Sequence, residues 1–149
     1  MAERLATTFE HPDESPGLLL WQVTNRWQAA QRAALAPLDL THVQFVLLAS
    51  LTWLVGAGGT ISQRELADHA ATDPMMTSQV LRTLEHKGLL QRREHPTDRR
   101  AKALVPTDEG VAVANRAIAV VEACDREFFG RLAGGTGAFV DALRGLRDN

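Results

Sequence analysis

The sequence has very little cysteine and no long hydrophobic run. Cys124 is the only cysteine, so one chain cannot form an internal disulfide or a metal site made of cysteines alone. No stretch approaches the roughly 18 uninterrupted apolar residues that a membrane span needs, and residues 1–10 lack the basic and then apolar pattern of a signal peptide. We therefore expect a cytoplasmic protein with no membrane partner.

Proline and glycine are also scarce. The chain has 6 prolines and 11 glycines among 149 residues, with 45% hydrophobic and 23% charged residues. This is the composition of a globular protein rather than a disordered one. At this length we expect a single domain with one core, spanning residues 1–149.

Patterns for catalysis and metal binding are missing as well. The histidines are scattered over different predicted elements and show no paired ligand spacing such as His-x-x-x-His, so no metal and no cofactor is predicted. Ser62, Asp68 and His69 share a short segment that we expect to be an exposed helix, and they do not form a nucleophile with its base. The expected function is therefore not enzymatic.

Charge is distributed unevenly along the chain. The net charge is -2 overall, but the segment from Arg82 to Lys102 contains seven basic and three acidic residues. That segment carries +4 and the remainder carries -6. Such segregation is expected if one surface faces phosphate.

Two helices are predicted in the first third of the chain. Apolar residues recur at steps of three and four from Leu20 to Ala34, and Pro37 ends this pattern. Thr41 and Gln44 form a capping box, which opens a second helix that runs to about Val55.

The next segment has the pattern of a helix-turn-helix. Ser62 and Glu65 form another capping box, which opens a short helix from Gln63 to about His69. Asp73 is the predicted N-cap of a longer helix, with Pro74 at its first position and Gly88 as its stop. We expect the buried stripe of this longer helix to consist of Met76, Val80, Leu81 and Leu84. Two helices of this size joined by a turn are typical of DNA-binding proteins.

A β-hairpin and two further helices follow. Residues 89–93 and 101–105 are predicted strands, joined by a basic loop that forms a wing. Thr107 caps a long helix that reaches about Phe128, and a last helix follows a glycine-rich break. The first helix and the last two carry apolar stripes that a small winged domain cannot cover, so we predict a homodimer.

These elements resemble the multiple antibiotic resistance regulator (MarR) family of bacterial transcription factors. The matching motifs are Leu40-Thr41-x-x-Gln44, Leu84-Glu85-x-Lys87-Gly88-Leu89-Leu90-x-Arg92, Asp98-Arg99-Arg100-Ala101-Lys102 and Thr107-x-x-Gly110. The resemblance implies a mainly α fold, with a winged helix-turn-helix at residues 41–106 and dimerisation helices at residues 18–36 and 107–147. It also implies a ligand-responsive regulator, expected to be a repressor, that binds a pseudo-palindromic operator in double-stranded DNA. The alternative is a dimeric winged-helix module that binds a small molecule or protein without binding DNA.

The candidate DNA-binding residues lie on three elements. A recognition helix presents its N-terminal part and one face to base edges, and in the wing an acidic residue is spaced to orient an arginine for the minor groove. The candidates are Thr77, Ser78, Gln79 and Arg82 on the recognition helix, Asp98, Arg99 and Arg100 in the wing, and Ser62, Gln63 and Arg64 at the start of the supporting helix. The alternatives are a solvated helix face, a loosely ion-paired turn and a simple helix cap. For Met75, contact with a thymine methyl and inward packing both remain open, with packing favoured.

Other expectations follow from the resemblance and its limits. Similar proteins bind small aromatic or phenolic effectors between the dimerisation helices and the winged domain, which suggests Trp27, His42 and Trp53 as candidate ligand residues. Ordinary core packing is the alternative. Gln79 and Arg82 differ from the residues of many relatives, so base preference cannot be transferred. Peroxide sensing is not expected of Cys124, and Pro106 should shorten the second wing strand.

Overall fold

A computed structural model describes residues 2–148, and within them the chain forms six α-helices and three short β-strands. The helices are α1 (Pro16–Leu35), α2 (His42–Gly56), α3 (Gln63–Ala70), α4 (Pro74–His86), α5 (Asp108–Phe129) and α6 (Gly137–Arg147), and the strands are β1 (Ile61–Ser62), β2 (Leu90–Glu94) and β3 (Lys102–Pro106). The predicted mainly α fold with a hairpin wing is confirmed.

Side-chain caps begin most of these helices, as the sequence predicted. Thr41 and Gln44 form both arms of their capping box at the start of α2. Asp73 caps α4 by accepting a hydrogen bond from the Met76 amide at 2.9 Å. At α3 only half of the predicted box forms, because the Glu65 carboxylate accepts its bond from the Ser62 hydroxyl instead of the backbone amide. Local chemistry therefore sets where these helices begin.

The core is built around α2. Leu47, Leu48 and Leu51 of this helix are fully buried, and α2 packs against α1, α3, α4, α5 and two of the strands. Burial of such leucines stabilises the fold by about 1.5–3 kcal/mol each. The recognition helix and the wing are thus held on one common scaffold.

The sheet has the strand order β1-β3-β2 and is antiparallel throughout. The sequence predicted β2 and β3 to within one residue, whereas β1 was not predicted. Pro106 is the last residue of β3 and lies opposite Leu90. The expected shortening of this strand is wrong, since both wing strands have five residues and a proline at the strand end interrupts no ladder.

A tight junction joins the end of α4 to the start of α5. Gly88 has a positive φ of 77°, and its carbonyl oxygen accepts a 2.6 Å hydrogen bond from Thr107 Oγ1. Thr107 also caps α5 by accepting from the Gly110 amide. A Cβ atom at Gly110 would overlap the Leu89 carbonyl oxygen, which explains the pairing of threonine and glycine in this motif.

The terminal helices leave apolar side chains in solvent. The first two turns of α1 expose Leu18, Leu19, Leu20, Trp21 and Val23. No residue of α6, all of which the structure describes, is buried, and Val140, Leu143 and Leu146 are exposed along it. The uncovered faces predicted for the first and last helices are present. For α5 the prediction is wrong, because Val113, Ala114, Ala117 and Val121 are buried within the same chain, where α5 packs against α1 and α2.

No single described helix is long and apolar enough to cross a bilayer, although the segment Pro16–Leu38 and α2 would qualify jointly and are bent by 75° at the break between them.

Candidate nucleic-acid interface

The turn between α3 and α4 is closed by hydrogen bonds from threonine. Ala71 adopts a left-handed conformation with φ of 54°, and Thr72 Oγ1 lies 2.7 Å from Thr77 Oγ1. Thr77 Oγ1 also donates to the Asp73 carbonyl at 2.8 Å. The Thr77 side chain is 0% exposed, so the expectation that it faces base edges is wrong. It joins the two helices instead.

The outer face of α4 carries the remaining candidates. Gln79 and Arg82 are exposed and Ser78 is half-buried, with Arg82 Nη2 donating to Ser78 Oγ at 3.2 Å. Such side chains suit hydrogen bonds to base edges and phosphates.

Two methionines also lie on this outer face. Met75 is 76% exposed and Met76 is 39% exposed. The predicted burial of Met76 is wrong, because Thr77 occupies the inward position. For Met75 the favoured inward packing is also wrong, which leaves the alternative of a thymine-methyl contact.

An arginine of the wing connects the supporting helix to the recognition helix. Arg92 Nη1 on β2 donates to Gln63 Oε1 at 3.0 Å, and Arg92 Nε lies 3.7 Å from Glu85 Oε2 at the end of α4. Gln63 is therefore held toward the wing, whereas Arg64 beside it is exposed. Arg92 and Glu85 both lie in the motif Leu84-Glu85-x-Lys87-Gly88-Leu89-Leu90-x-Arg92, but their spacing alone predicts neither their contact nor this role.

The wing tip is organised by one imidazole and one carboxylate. His95 Nδ1 accepts from the Thr97 amide at 3.2 Å and the Asp98 amide at 3.1 Å. Asp98 Oδ1 then accepts from the Arg100 amide at 2.9 Å. Asp98 was expected to orient an arginine guanidinium, but it shapes the backbone of the turn. Arg99 and Arg100 remain exposed at the tip.

A cleft of about 860 Å³ lies where α3, the start of α4 and the wing meet. Ser62, Gln63 and Arg64 line it from the side of α3, and Pro74 lines it at the first turn of α4. The wing contributes Arg92, Asp98, Arg100 and Lys102. Four basic side chains thus converge against two carboxylates, Asp68 and Asp98, which gives a cationic surface suited to phosphate.

The three candidate ligand residues do not share one site. Trp27 Nε1 donates to Asp125 Oδ1 at 2.9 Å, and Gln31 Nε2 donates to the same oxygen at 2.6 Å. The His42 ring meets Trp27 edge-on, with 5.0 Å between centroids. We call Trp27, Gln31, His42 and Asp125 the polar cluster. It joins α1, α2 and α5.

Burial lowers the pKa of His42 below its ordinary value of 6.5. The Asp125 carboxylate opposes this shift and the Arg32 guanidinium adds to it. His42 is therefore favoured in its neutral form, as a packed member of the cluster.

Trp53 lies apart from this cluster, in a second cleft of about 820 Å³ between α2, α3 and α5. Its indole is 73% exposed. Phe45, Ala114 and Ile118 supply apolar lining, and His69, Asn115 and Glu122 supply polar groups. This combination is typical of small-molecule sites.

Cys124 is half-buried on α5. Burial raises the pKa of its thiol, and the nearby carboxylates of Asp125 and Glu127 raise it further. The reactive thiolate is therefore disfavoured. Among residues 2–148, no group of three or more His, Cys, Asp or Glu side chains could hold a metal ion.

Comparison with known proteins decides which family this arrangement represents. Residues 40–102 match the model of the MarR family. The chain is 46% identical over 121 residues to the uncharacterized HTH-type transcriptional regulator YdcH of Bacillus subtilis, covering 81% of this chain and 82% of YdcH. The chain belongs to the MarR family.

Solved MarR-family structures extend the match over nearly the whole chain. Bordetella bronchiseptica BpsR, whose DNA binding is described as regulated by 6-hydroxynicotinic acid, superimposes with a TM-score of 0.84 at 27% identity, over 95% of this chain and 99% of BpsR. Mycobacterium tuberculosis Rv2887, solved in complex with DNA, superimposes with a TM-score of 0.67 at 34% identity, over 89% of this chain and 97% of Rv2887. This MarR-family protein is a winged helix-turn-helix transcriptional regulator.

Proposed function

We propose that this MarR-family regulator binds a pseudo-palindromic operator in double-stranded DNA as a homodimer and represses transcription. The observation that carries the proposal is the cationic cleft, where α3, the start of α4 and the wing meet. In this arrangement α4 enters the major groove while Arg99 or Arg100 reaches the adjacent minor groove. The similarity to Rv2887 also supports repression, because that protein is a transcriptional repressor and is 38% identical over 80% of this chain.

Two copies are needed because one recognition helix reads only half of an operator. Half-sites one turn apart require the two α4 helices to lie roughly 34 Å apart. The exposed apolar faces of α1 and α6 supply surfaces for pairing. We assign residues 18–36 and 107–147 to dimerisation and residues 41–106 to DNA binding.

The DNA-binding role is tested by substitution at the wing tip. We expect Arg100→Ala to weaken operator binding by about 1–3 kcal/mol, because it removes a minor-groove cation, while the dimer stays folded. The matched control is Arg4→Ala, at an exposed arginine ahead of α1, which should bind as the wild type does. Fluorescence anisotropy with a duplex selected from random DNA by the wild-type protein measures both.

DNA selection and its salt dependence distinguish this function from the alternative, a winged-helix dimer that does not bind DNA. A DNA-binding protein loses affinity steeply as salt is added. A winged-helix dimer that binds only a protein or small molecule would select no duplex at any salt concentration. Wild-type affinity in Arg100→Ala would remove the wing arginine from the interface.

We further propose that a small aromatic acid binds in the cleft beside Trp53 and weakens DNA binding. The exposed indole in an apolar cleft supports this, as does the regulation of BpsR by 6-hydroxynicotinic acid. Trp27 and His42 are left out, because hydrogen bonding and ring packing already engage them.

A panel of hydroxylated aromatic acids, 6-hydroxynicotinic acid included, tests the cleft. A bound acid should quench tryptophan fluorescence and lower the affinity for DNA in the wild type. Trp53→Ala should lose both effects, and the control Trp27→Phe should keep them. An acid that releases DNA equally from the wild type and from Trp53→Ala would place the effector elsewhere.

A further inference from the structure

We propose that Lys87 is a positioning residue that locks the end of the recognition helix to the junction between α1 and α2, and that it does not bind DNA itself. This inference rests on the proposed DNA-binding function. Lys87 lies within the basic segment of the sequence, where a phosphate contact is the first expectation. Its contacts in the structure lead to a different role.

The Lys87 ammonium group is directed at three oxygen atoms of one segment. Nζ donates to the Asp39 carbonyl at 2.6 Å and to Gln44 Oε1 at 3.2 Å, and it lies 3.5 Å from Asp39 Oδ2. An ammonium group has three N–H donors, and two of them are engaged in these hydrogen bonds. The side chain is 27% exposed, and its charge is turned toward the protein.

The acceptors are themselves held in place. Asp39 has a left-handed backbone with φ of 55°, and its amide donates to the Ala36 carbonyl at 3.0 Å. Gln44 is buried and is fixed by its reciprocal bonds with Thr41. The Asp39 carbonyl and Gln44 Oε1 are therefore fixed acceptors for Lys87, whereas the Asp39 carboxylate is exposed.

At its other end, Lys87 is the C-cap of α4. Its amide donates to the Thr83 carbonyl at 2.9 Å, and a cation at a helix C-terminus interacts favourably with the helix dipole. Gly88 then reverses the chain, and the Leu89 amide returns to the Leu84 carbonyl at 3.0 Å. Holding the Lys87 side chain thus fixes the last turn of the recognition helix.

The junction also contacts the dimerisation helices. His42 follows the capping residue Thr41, and its ring packs on Trp27 of α1, which bonds to Asp125 of α5. A shift of α1 or α5 would move the acceptors of Lys87, and α4 would move with them. The Lys87 side chain thus directly connects the recognition helix to the start of α2, where His42 of the polar cluster lies.

The test compares Lys87→Met with Lys102→Met, since both keep an unbranched side chain and lose the charge. Lys102 is exposed and lines the cationic cleft. Binding is measured for the selected duplex and for a random duplex of equal length over a salt series. We expect Lys87→Met to lose roughly 3- to 30-fold in affinity for the selected duplex, with random-duplex affinity and the salt slope unchanged. Lys102→Met should weaken both duplexes and reduce the slope by about one.

A second arm uses the free protein. In Lys87→Met, amide hydrogen exchange in the last turn of α4 should become faster, and in Lys102→Met it should not. Gln44→Met should reproduce the loss of specificity, and the double variant should lose less than the sum of the single losses.

Two results would overturn the proposal. One is a reduced salt slope in Lys87→Met, which would make Lys87 a phosphate contact; the other is unchanged exchange in α4. The hydrogen-exchange experiment does not need DNA, so it tests the role of Lys87 even if the wild type selects no duplex. Failure of this role and failure of the proposed DNA-binding function therefore remain distinguishable.

Discussion

Thr77 and Met75 occupy positions opposite to those that their polarity suggests. Thr77 is polar and buried, because Thr72 and the Asp73 carbonyl satisfy its hydroxyl group. Met75 is apolar and exposed at the start of the recognition helix. Helical periodicity could not decide between positions 76 and 77 as the inward one, since the preceding turn makes that choice. The recognition helix was predictable from sequence, but the inward face of its first turn was not.

His42 gives a prediction about pH. Burial lowers its pKa in the folded protein, so the folded state binds fewer protons than the unfolded state just below the ordinary pKa. Its contribution to stability is therefore present above about pH 6.5 and is lost as the pH falls through the lowered value. We expect the difference in unfolding free energy between the wild type and His42→Gln to shrink as the pH is lowered.

Urea unfolding between about pH 5 and 8 measures this difference, at one protein concentration throughout. His69→Gln, at an exposed position on α3, is the matched control. If the difference between the wild type and His42→Gln stays constant with pH, burial does not govern the titration of His42.

At the scale of elements, helix starts were predictable and small strands were not. Thr41, Asp73 and Thr107 cap their helices through neighbours three residues away, so a short sequence window contains the whole signal. Strand β1 has two residues and pairs with β3 about forty residues later, which no local pattern reveals. The contact of Arg92 with Gln63 was not predictable for the same reason, because the two residues are far apart in the chain.

The junction between α4 and α5 gives a prediction about packing. In Gly110→Ala the new Cβ would overlap the Leu89 carbonyl oxygen, so α5 must move away from the turn. We expect a loss of about 1–3 kcal/mol in unfolding free energy, measured by urea denaturation.

Gly56→Ala, at the last residue of α2, is the control for this effect, because its Cβ would meet no neighbouring atom within 4 Å and alanine favours a helix. The control should leave stability unchanged or raise it slightly. A Gly110→Ala variant as stable as the wild type would contradict the close approach of α5 to Leu89.

At the scale of the whole molecule, two surfaces have separate tasks. In the proposed function, the cationic cleft binds nucleic acid and the apolar sides of α1 and α6 pair with a second copy of the chain. The overall charge of -2 conceals this division, but the excess of basic residues from Arg82 to Lys102 reveals it along the sequence. The sequence did predict both surfaces, because charge and hydrophobic periodicity are local properties; the positions of the two clefts required the tertiary fold.

Pairing through α6 gives the prediction at this scale. Leu143→Glu places a carboxylate on the exposed apolar side of the helix, where burial of a charge is costly. We expect monomers in analytical ultracentrifugation and loss of operator binding.

Arg144→Glu changes the adjacent exposed residue and should leave the dimer intact. Leu143→Glu protein that sediments as a dimer would exclude this side of α6 from the interface.

The exposed apolar side of α6 has a consequence for gene dosage. If Val140, Leu143 and Leu146 become buried only when two chains meet, as in the proposed dimer, assembly of the competent regulator is second order in chain concentration. At low copy number the amount of competent regulator rises with the square of the number of chains made. A modest change in its own synthesis therefore becomes a larger change in operator occupancy, and the response sharpens without any added component.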